Sequence, residues 1–330
     1  MTRDYSADYF RQLSRGSRAS AEIVVPLIVD LVYPNSVVDL GCGTGAWLAE
    51  FKRRGVNSVL GIDGPYVDTG QLEIGTNEFL AADLARPVSL DGRFDLALSL
   101  EVAEHLAAEH AEQFVKTLAQ IAPIVVFSAA IPGQGGEQHL NEQWPSYWIE
   151  RFAVHDFIAF DPFRRQLWQL PAIDWWYAQN ILLFVHRSSP WYAKFDSDRC
   201  EILPLVHPRN LIDQVWRNRV LQLAVELASH VPTGEQLIVA DENRFGTMYL
   251  PGRRVRAFIE RNGIYFGPPE TDAEAIRELE RMKQEGARYL AIGWPAFWWL
   301  SYYRDFAEHL ERCYPAALKN QLVTLYCLRP

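Results

Sequence analysis

The first half of the chain alternates between short apolar runs and stretches with helical spacing. Apolar residues three and four positions apart predict a helix over 19–32. Residues 36–40 form a β-branched run that ends in glycines, and residues 46–54 return to helical spacing. The other predicted elements are the strands 58–62, 79–82, 94–100, 124–129 and 175–185 and the helix 108–119. Strands that alternate with helices predict a doubly wound parallel sheet that binds its ligand at the carboxyl ends of the strands.

A second alternation follows a polar, proline-containing stretch that begins at Ser188. A long helix is predicted over 209–229. Further strands are predicted at 236–240, 255–259, 289–292 and 322–328, and further helices at 272–285 and 297–312. We therefore expect an α/β chain with a first domain over 1–187, a linker and connecting helix over 188–229, and a second, smaller α/β domain over 230–330.

The composition is that of a folded protein with no bias toward polyanions. Hydrophobic residues make up 49% of the 330 residues and charged residues 22%, which gives enough apolar surface for two cores. The formal net charge of -9 argues against a broad phosphate-binding surface, because nucleic-acid binders depend on clustered Lys and Arg. We therefore expect a small or neutral substrate and no nucleic-acid partner.

Neither the cysteines nor the apolar stretches suggest an oxidising or membrane environment. Cys42, Cys200, Cys313 and Cys327 lie far apart without a CxxC pair, so neither a zinc cluster nor a disulfide framework is predicted. The N-terminus lacks the apolar core of a signal peptide. The apolar stretch 289–303 is shorter than the roughly 20 residues that a membrane helix needs. We expect a cytoplasmic protein without a membrane partner.

A glycine-rich turn stands between the first predicted strand and the helix that follows it. The sequence from Asp39 is Asp-Leu-Gly-Cys-Gly-Thr-Gly-Ala, and the missing side chains at Gly41 and Gly43 let a nucleoside approach the backbone. Gly41, Gly43 and Ala46 also fit the dinucleotide spacing G-x-G-x-x-G/A. The turn by itself therefore leaves a nicotinamide-dependent oxidoreductase open.

Three aspartates at predicted strand ends favour a sulfonium nucleoside over a dinucleotide. Asp39 stands at the mouth of the glycine turn, where a carboxylate repels a pyrophosphate but suits the charged amino acid end of S-adenosylmethionine (SAM). Asp63 can accept hydrogen bonds from both ribose hydroxyls, and Asp83 can accept one from the adenine amino group. Each alone could be a turn-forming aspartate. Because all three fall at strand ends, the cofactor interpretation is favoured.

These segments together resemble the class I SAM-dependent methyltransferases. Residues 37–45 are similar to the first motif of that family, residues 61–63 to the second, and residues 94–106 to the motif after the fourth strand. The resemblance implies a Rossmann-like sheet with helices on both faces, SAM as cofactor and S-adenosylhomocysteine (SAH) as product. The cofactor-binding residues that it implies are Asp39, Gly41, Cys42, Gly43, Asp63, Gly64, Asp83, Leu84 and Glu101.

The segment after the fifth strand combines glycines, amides, aromatic residues and one histidine. Residues 128–148 and 175–180 resemble a bacterial subfamily of uncharacterised class I methyltransferases that is grouped with small-molecule and sugar-modifying enzymes. His139 is the first candidate for a general base, since an imidazole pKa of about 6.5 suits proton removal near neutrality. The alternative is that His139 only forms a structural hydrogen bond within its loop. His105 is the second candidate base, with a position beside the cofactor as the alternative.

Aromatic and amide residues around this segment are candidates for acceptor binding. The predicted substrate contacts are Gln143, Trp144, Tyr147 and Trp176. The three aromatic residues among them, together with Trp148 and Trp175, could form an aromatic wall for a sugar or planar ring. The alternative is that these aromatic residues pack in the core.

Two further roles are predicted around the same site. Glu142 could cap a helix that begins near Pro145, and Tyr5, Tyr9 and Phe10 could form a lid over the cofactor. No spacing typical of metal ligands is recognised, so no metal is assigned.

The sequence as a whole predicts methyl transfer from SAM to an oxygen, with nitrogen as the second choice, of a sugar-containing or secondary-metabolite acceptor. A nicotinamide-dependent oxidoreductase is disfavoured by Asp39 and by the lack of a Tyr-x-x-x-Lys pattern. A SAM-binding accessory protein without turnover stays open, as does a homo-oligomer. Residues 293–300 resemble a segment of accessory α/β domains attached to bacterial glycosyltransferases and polysaccharide-modifying enzymes, which implies no reaction for the second domain.

Overall fold

The computed structural model describes residues 7–196, 201–245 and 250–329, without the side chains of residues 7–15 and 196. The side chains of Tyr5, Tyr9 and Phe10, predicted as a lid, lie outside this description. By its internal contacts the chain divides into two compact units, Met1–Ile212 and Asp213–Pro330.

A sheet forms the centre of the first unit, where the described residues contribute seven strands. The strands are β1 Ser36–Leu40, β2 Ser58–Asp63, β3 Phe79–Ala81, β4 Leu96–Leu100, β5 Ile124–Ser128, β6 Phe157–Phe160 and β7 Leu182–His186. Their order in the sheet is β3-β2-β1-β4-β5-β7-β6. Strands β1 to β5 are parallel, as predicted, whereas β7 runs antiparallel to both β5 and β6. The structure thus confirms the predicted Rossmann-like sheet.

Helices cover both faces of this sheet because successive strand residues point to opposite sides. In β1, Val37 belongs to one buried apolar cluster and Val38 to a second cluster on the other face. Fully burying each such side chain contributes about 1.5–3 kcal/mol. The helices of this unit are α1 Ala7–Val32, α2 Ala46–Arg53, α3 Ala111–Ile121, α4 Pro145–Ala153, α5 Arg164–Leu167, α6 Trp175–Asn180 and α7 Tyr192–Asp196.

The strand predicted over 175–185 is wrong in its first half. Trp175–Asn180 form helix α6, and the strand begins only at Leu182. Tryptophan and tyrosine favour strands mainly through packing on a sheet surface, which tertiary context can override. Here Tyr177 and Ala178 pack as a helical turn onto the core, which leaves the polar end of the helix at the carboxyl edge of the sheet.

The elements from residue 208 onward are α8 Pro208–His230, β8 Gln236–Ala240, β9 Arg254–Ala257, β10 Glu260–Arg261, β11 Ile264–Tyr265, α9 Asp272–Gln284, β12 Tyr289–Gly293, α10 Trp299–Tyr302, α11 Arg304–Cys313, β13 Ala316–Lys319 and β14 Val323–Cys327. The described residues of the second unit form a five-stranded sheet in the order β13-β14-β12-β8-β9, with buried clusters on both faces. The predicted helix 297–312 is interrupted at Tyr303, and β13 was not predicted. Across the described ranges, no helix combines the length and apolarity needed to cross a membrane.

Candidate functional site

The carboxyl ends of β1, β2 and β4 meet at one edge of the first sheet because these strands are parallel neighbours. The glycine turn follows β1, Asp63 ends β2, and Glu101 follows β4. The N–H of Gly41 donates to the carbonyl of Ile62 at 2.7 Å, so the turn is tied directly to the second strand. The predicted motifs therefore converge on one edge of the sheet.

The Asp63 carboxylate holds the glycine turn in place. One of its oxygens accepts from the N–H of Gly43 at 2.7 Å. The other oxygen accepts from the N–H of Gly64 at 2.7 Å and from the hydroxyl of Tyr66. The side chain is almost fully buried. Asp63 therefore fixes the shape of the glycine turn, and Tyr66 is a neighbour that the sequence did not indicate.

Asp39 is a buried carboxyl at the base of the same loop. It is only 2% exposed, and burial together with the charge of Asp63 raises its pKa to about 7. A nearby positive charge would favour its ionised form. Cys42 differs, since its sulfur packs toward Gly61 in the core, and burial raises the pKa of its thiol. The backbone of Cys42 is bonded within the protein too, since its N–H donates to the carbonyl of Ile62 at 3.4 Å and its carbonyl accepts from the N–H of Gly45 at 2.9 Å.

Two glycines of the turn face different surroundings. Gly41 has φ +88°, and a Cβ there would stand 2.2 Å from a methyl carbon of Val102. Gly43 has φ +54°, with nothing within 4 Å of a Cβ. The first glycine is thus required by packing against the segment after β4, whereas the second leaves open space beside the loop.

This contrast predicts different effects for two matched substitutions. Gly41→Ala should lower the free energy of unfolding by about 2 kcal/mol, because it combines strain with a clash. Gly43→Ala should cost only about 1 kcal/mol of stability but weaken SAM binding about tenfold, because its methyl group enters the open space. Urea denaturation and calorimetry measure the two quantities. Native SAM affinity in Gly43→Ala would contradict the placement of the nucleoside beside this loop.

Asp83 and Leu84 follow β3, which pairs with β2 at the end of the sheet. Asp83 is exposed, accepts from the N–H of Ala85 at 3.0 Å and pairs with Arg86 at 3.3 Å. It therefore does form a turn, as its alternative interpretation predicted, while its exposed carboxylate stays accessible to a ligand. Leu84 packs partly against the apolar cluster beneath it.

Glu101 is held by a network of buried amides. It has φ +55°, and its carboxylate accepts from Nε2 of Gln134 at 2.8 Å and from Nδ2 of Asn180 at 3.0 Å. Burial raises its pKa, while the bonds from Asn180, Ser128 and Gln134 oppose that rise. The structure thus surrounds this carboxyl with protein donors.

The network continues to the segment before α8. The side-chain Nε2 of Gln179 donates to Oε1 of Gln134 at 3.0 Å. The side-chain Oε1 of Gln179 accepts from the backbone N–H of His207 at 2.8 Å and from Nδ2 of Asn210 at 3.1 Å. Sequence reasoning did not assign Gln134, Gln179 or Asn180 to the site. Their only sequence signal is the placement of amides in a glycine loop and at the end of an aromatic run.

Glu104, His105 and His139 form a compact cluster beside the glycine turn. The rings of His105 and His139 meet edge to face with centroids 4.9 Å apart. Burial, followed by the charge of Glu101, raises the pKa of Glu104 well above its usual range. Desolvation of the ring, followed by the charge of His139, lowers the pKa of His105. The two predicted base candidates therefore share one site.

The loop that carries His139 is fixed from both sides. The N–H groups of Leu140 and Asn141 donate to the carbonyl of Glu104 at 2.7 and 3.0 Å. Nδ1 of His139 lies 2.9 Å from Oε1 of Glu142. These contacts explain why a histidine 34 positions after His105 in sequence lies beside it.

The predicted capping role of Glu142 is wrong. Its carboxylate instead accepts from the N–H of Gly133 at 2.7 Å and of Gly135 at 2.6 Å, in addition to its contact with His139. Helix α4 begins at Pro145 without a side-chain cap, because the proline lacks an N–H at the first helical position. Gly133 and Gly135 present backbone N–H groups within the loop, and the Glu142 carboxylate accepts their hydrogen bonds.

The predicted substrate residues do not form one aromatic wall. Trp144 is 40% exposed, and Tyr147 lies partly buried with the Arg151 guanidinium 3.3 Å above its ring. Trp176 packs against the core on the opposite face of the sheet, and Trp148 is buried in the core. Gln143 is oriented by Asn141 at 2.9 Å. Trp175 packs beside Trp176 and His207. Gln143, Trp144 and Tyr147 follow the His139 loop directly in the chain.

A small pocket lies at the start of α4. Nε1 of Trp148 is buried there without a hydrogen-bond partner among the described residues. The pocket is lined by Phe127, Ala129, Pro145, Trp148, Asn180, Leu182 and Phe184.

Comparison with known proteins gives one family match. A family model described as "Methyltransferase domain" matches residues 9–178. A search among curated proteins gave no match.

Solved structures of methyltransferases are similar at low identity. The sugar N-methyltransferase KedS8 from Streptoalloteichus is 15% identical with a TM-score of 0.44, over 57% of this chain and 98% of that one. Magnesium protoporphyrin IX methyltransferase from Synechocystis, with bound SAM, is 19% identical with a TM-score of 0.40, over 56% and 86%. TnmH is 17% identical with a TM-score of 0.39, over 54% of this chain and only 57% of its own length. TM-scores below 0.5 mark only a general likeness of fold, so the family of this chain is identified by the match over residues 9–178.

Proposed function

Because the chain belongs to the methyltransferase-domain family, whose methyl donor is SAM, we propose that it transfers a methyl group from SAM to a hydroxyl oxygen of a small acceptor. The observation that carries the choice of oxygen is the His105–His139 pair, with ring centroids 4.9 Å apart. A hydroxyl must lose a proton during transfer, whereas a neutral amine is already nucleophilic. The pair adjoins the glycine turn through the contact of Gly41 with Val102.

We propose that three aspartates hold the cofactor. Asp63, at the end of β2, would accept from the ribose hydroxyls, and Asp39 would face the charged amino acid end. Asp83 would accept from the adenine amino group with its exposed carboxylate. The backbone of the glycine turn and of Gly64, together with Leu84 and Glu101, would complete the walls of the site.

Methyl transfer needs little covalent help from the protein, because the sulfonium methyl is already electrophilic. The C–S bond breaks as the C–O bond forms, and the bonding electron pair stays on sulfur, which yields SAH. The hydroxyl proton must leave, and Nε2 of His139 is the nitrogen available for it, since Nδ1 contacts Glu142 at 2.9 Å. The lowered pKa of His105 keeps that ring neutral near pH 7.

The acceptor is proposed to be a sugar-containing or secondary-metabolite small molecule. The net charge of -9 disfavours a polyanionic acceptor. Trp144, which is 40% exposed and follows the His139 loop in the chain, offers an apolar face on which a sugar or planar ring can stack.

Calorimetry and isotope transfer test this function. We expect the full chain to bind SAM and SAH in the micromolar range and NAD not at all. With tritium-labelled SAM, we expect label in a hydroxyl-bearing member of a panel of nucleotide sugars, aminosugars and glycosides. Label on nitrogen would overturn the oxygen assignment. SAM binding without transfer to any member would favour a SAM-binding accessory protein, and no SAM binding would remove the proposal.

A further inference from the structure

We propose that Glu104, His105 and His139 bind a divalent transition-metal ion that activates the acceptor hydroxyl. One ligand atom from each of these residues lies within 4.8 Å of the others. The inference rests on the proposed methyl transfer and assigns the two imidazoles a different role within it, as ligands. It also revises the sequence-based expectation that no metal is bound.

The unpartnered carboxyl of Glu104 is the observation that points to a cation. Its side chain is fully buried, and neither oxygen has a partner that meets hydrogen-bond geometry among the described residues, although the Ala130 backbone and the Glu101 carboxyl lie near it. Buried carboxyl oxygens nearly always have such a partner, because an unpaired polar group in the interior costs free energy. A metal ion coordinated by one of these oxygens would supply the missing interaction.

The donor set suits a transition metal better than calcium or magnesium. Two imidazoles and one carboxylate are typical ligands of Zn²⁺, Fe²⁺, Mn²⁺ and Co²⁺, whereas Ca²⁺ and Mg²⁺ prefer oxygen ligands alone. Three protein ligands also leave coordination positions open for a substrate oxygen. His105 keeps part of its surface exposed, so the cluster adjoins solvent.

His139 already has the support that metal-binding histidines usually have. Its Nδ1 lies 2.9 Å from Glu142, whose carboxylate is itself held by two backbone N–H groups at 2.7 and 2.6 Å. Such a carboxylate fixes the tautomer and orientation of a ligand ring and leaves Nε2 to bind the metal. The loop therefore positions this imidazole before any ion binds.

Only small shifts are needed to close the site around an ion. If all three ligand atoms were 4.8 Å apart, a central ion would be about 2.8 Å from each, compared with about 2.1 Å for metal–nitrogen or metal–oxygen bonds. Side-chain movements of about 0.7 Å would close that gap.

Coordination accounts for the loss of the proton. A metal-bound hydroxyl has a strongly lowered pKa, so it can release its proton to water and attack as an alkoxide. The methyl carbon then passes from sulfur to that oxygen, and sulfur keeps the electron pair of the broken C–S bond. The ion would lie next to the cofactor, because Val102, within the same segment as Glu104, packs against Gly41.

Titration of the metal-free full chain with Co²⁺ tests the inference. We expect one Co²⁺ per chain, with visible absorption bands that report nitrogen ligation. Glu104→Gln and His139→Ala should each weaken binding by at least about 10- to 100-fold, the loss typical when only a partner of a ligand is removed. The matched control is His155→Ala, a partly buried histidine that pairs with Glu112 at 3.3 Å, and it should bind Co²⁺ like the native chain. If Glu104→Gln does not fold, His139→Ala and His105→Ala still test the site, because each removes one proposed ligand and should weaken Co²⁺ binding.

Calorimetry with SAM on the same preparations separates the two ideas. SAM binding without stoichiometric Co²⁺ binding, or Co²⁺ binding that none of the three variants weakens, would overturn the metal site and leave the proposed methyl transfer in place. Co²⁺ binding that the variants abolish, with no SAM binding, would support the site and remove the methyl transfer. Loss of transferred label on chelation, restored by Co²⁺ or Zn²⁺, would support both.

Discussion

Asp63→Ala is expected to weaken SAM binding by two to three orders of magnitude, about 3 to 4 kcal/mol. The substitution removes the proposed charged hydrogen bonds to the ribose. It also releases the N–H groups of Gly43 and Gly64, each now held at 2.7 Å, so the glycine turn loses its anchor. Isothermal titration with SAM and SAH measures the loss.

Two variants separate these contributions. Asp63→Asn keeps the shape and one acceptor oxygen, so it should lose less affinity than Asp63→Ala. Asp83→Ala is the matched control at the end of the neighbouring strand, where the exposed carboxylate should contribute about 1 kcal/mol or less. Equal losses of SAM affinity for Asp63→Ala and Asp83→Ala would contradict the proposal that Asp63 contributes more to cofactor binding than Asp83. Circular dichroism of each variant checks that the fold is kept.

Asp39→Asn is expected to stabilise the ligand-free protein while weakening SAM binding. Burial raises the pKa of Asp39 from 3.8 to about 7, so the folded protein holds this proton more tightly than the unfolded chain. The unfavourable ionisation of a buried carboxyl therefore lowers stability as pH rises from about 4 to 7, by about 1.4 kcal/mol per pH unit and up to about 4 kcal/mol in total. The asparagine variant, which does not titrate, escapes this loss.

Urea denaturation from pH 5 to pH 8 checks the expected gain in stability. The difference between Asp39→Asn and the native chain should grow toward pH 7 and then level off. The control Asp91→Asn, at an exposed position, should show no such trend. A difference that does not change with pH would show that Asp39 titrates normally.

The same carboxyl should couple SAM affinity to pH. A cationic ligand favours the ionised form of Asp39, so SAM should bind the native chain more tightly as pH rises through about 7. Asp39→Asn should bind SAM at least tenfold more weakly at pH 8 and lack this dependence. SAH keeps the ammonium group that Asp39 is proposed to face, so it should lose affinity to a similar extent. A pH dependence retained by the variant would assign it to another group.

Some elements could be predicted because their local pattern and their burial agree. The β-branched runs of β1 and β5 are buried on both faces, and such runs are typical of central parallel strands. The acids at the ends of β1 and β2 followed from the same pattern, since parallel strands end at one edge. Residues 175–180 misled the prediction because their aromatic composition is typical of strands, whereas packing made them a helix.

The sequence by itself determined the five parallel strands, the glycine turn and the aspartates that follow these strands, because strand patterning and strand-end chemistry are local properties of the chain. Only the tertiary structure decided which distant groups meet. It joined His105 to His139, bound Glu142 to the backbone of its own loop, and left the carboxyl of Glu104 unpartnered among the described residues. The physical reason is that hydrogen bonds and burial across long sequence separations depend on how loops cross the sheet edge, which no local pattern encodes.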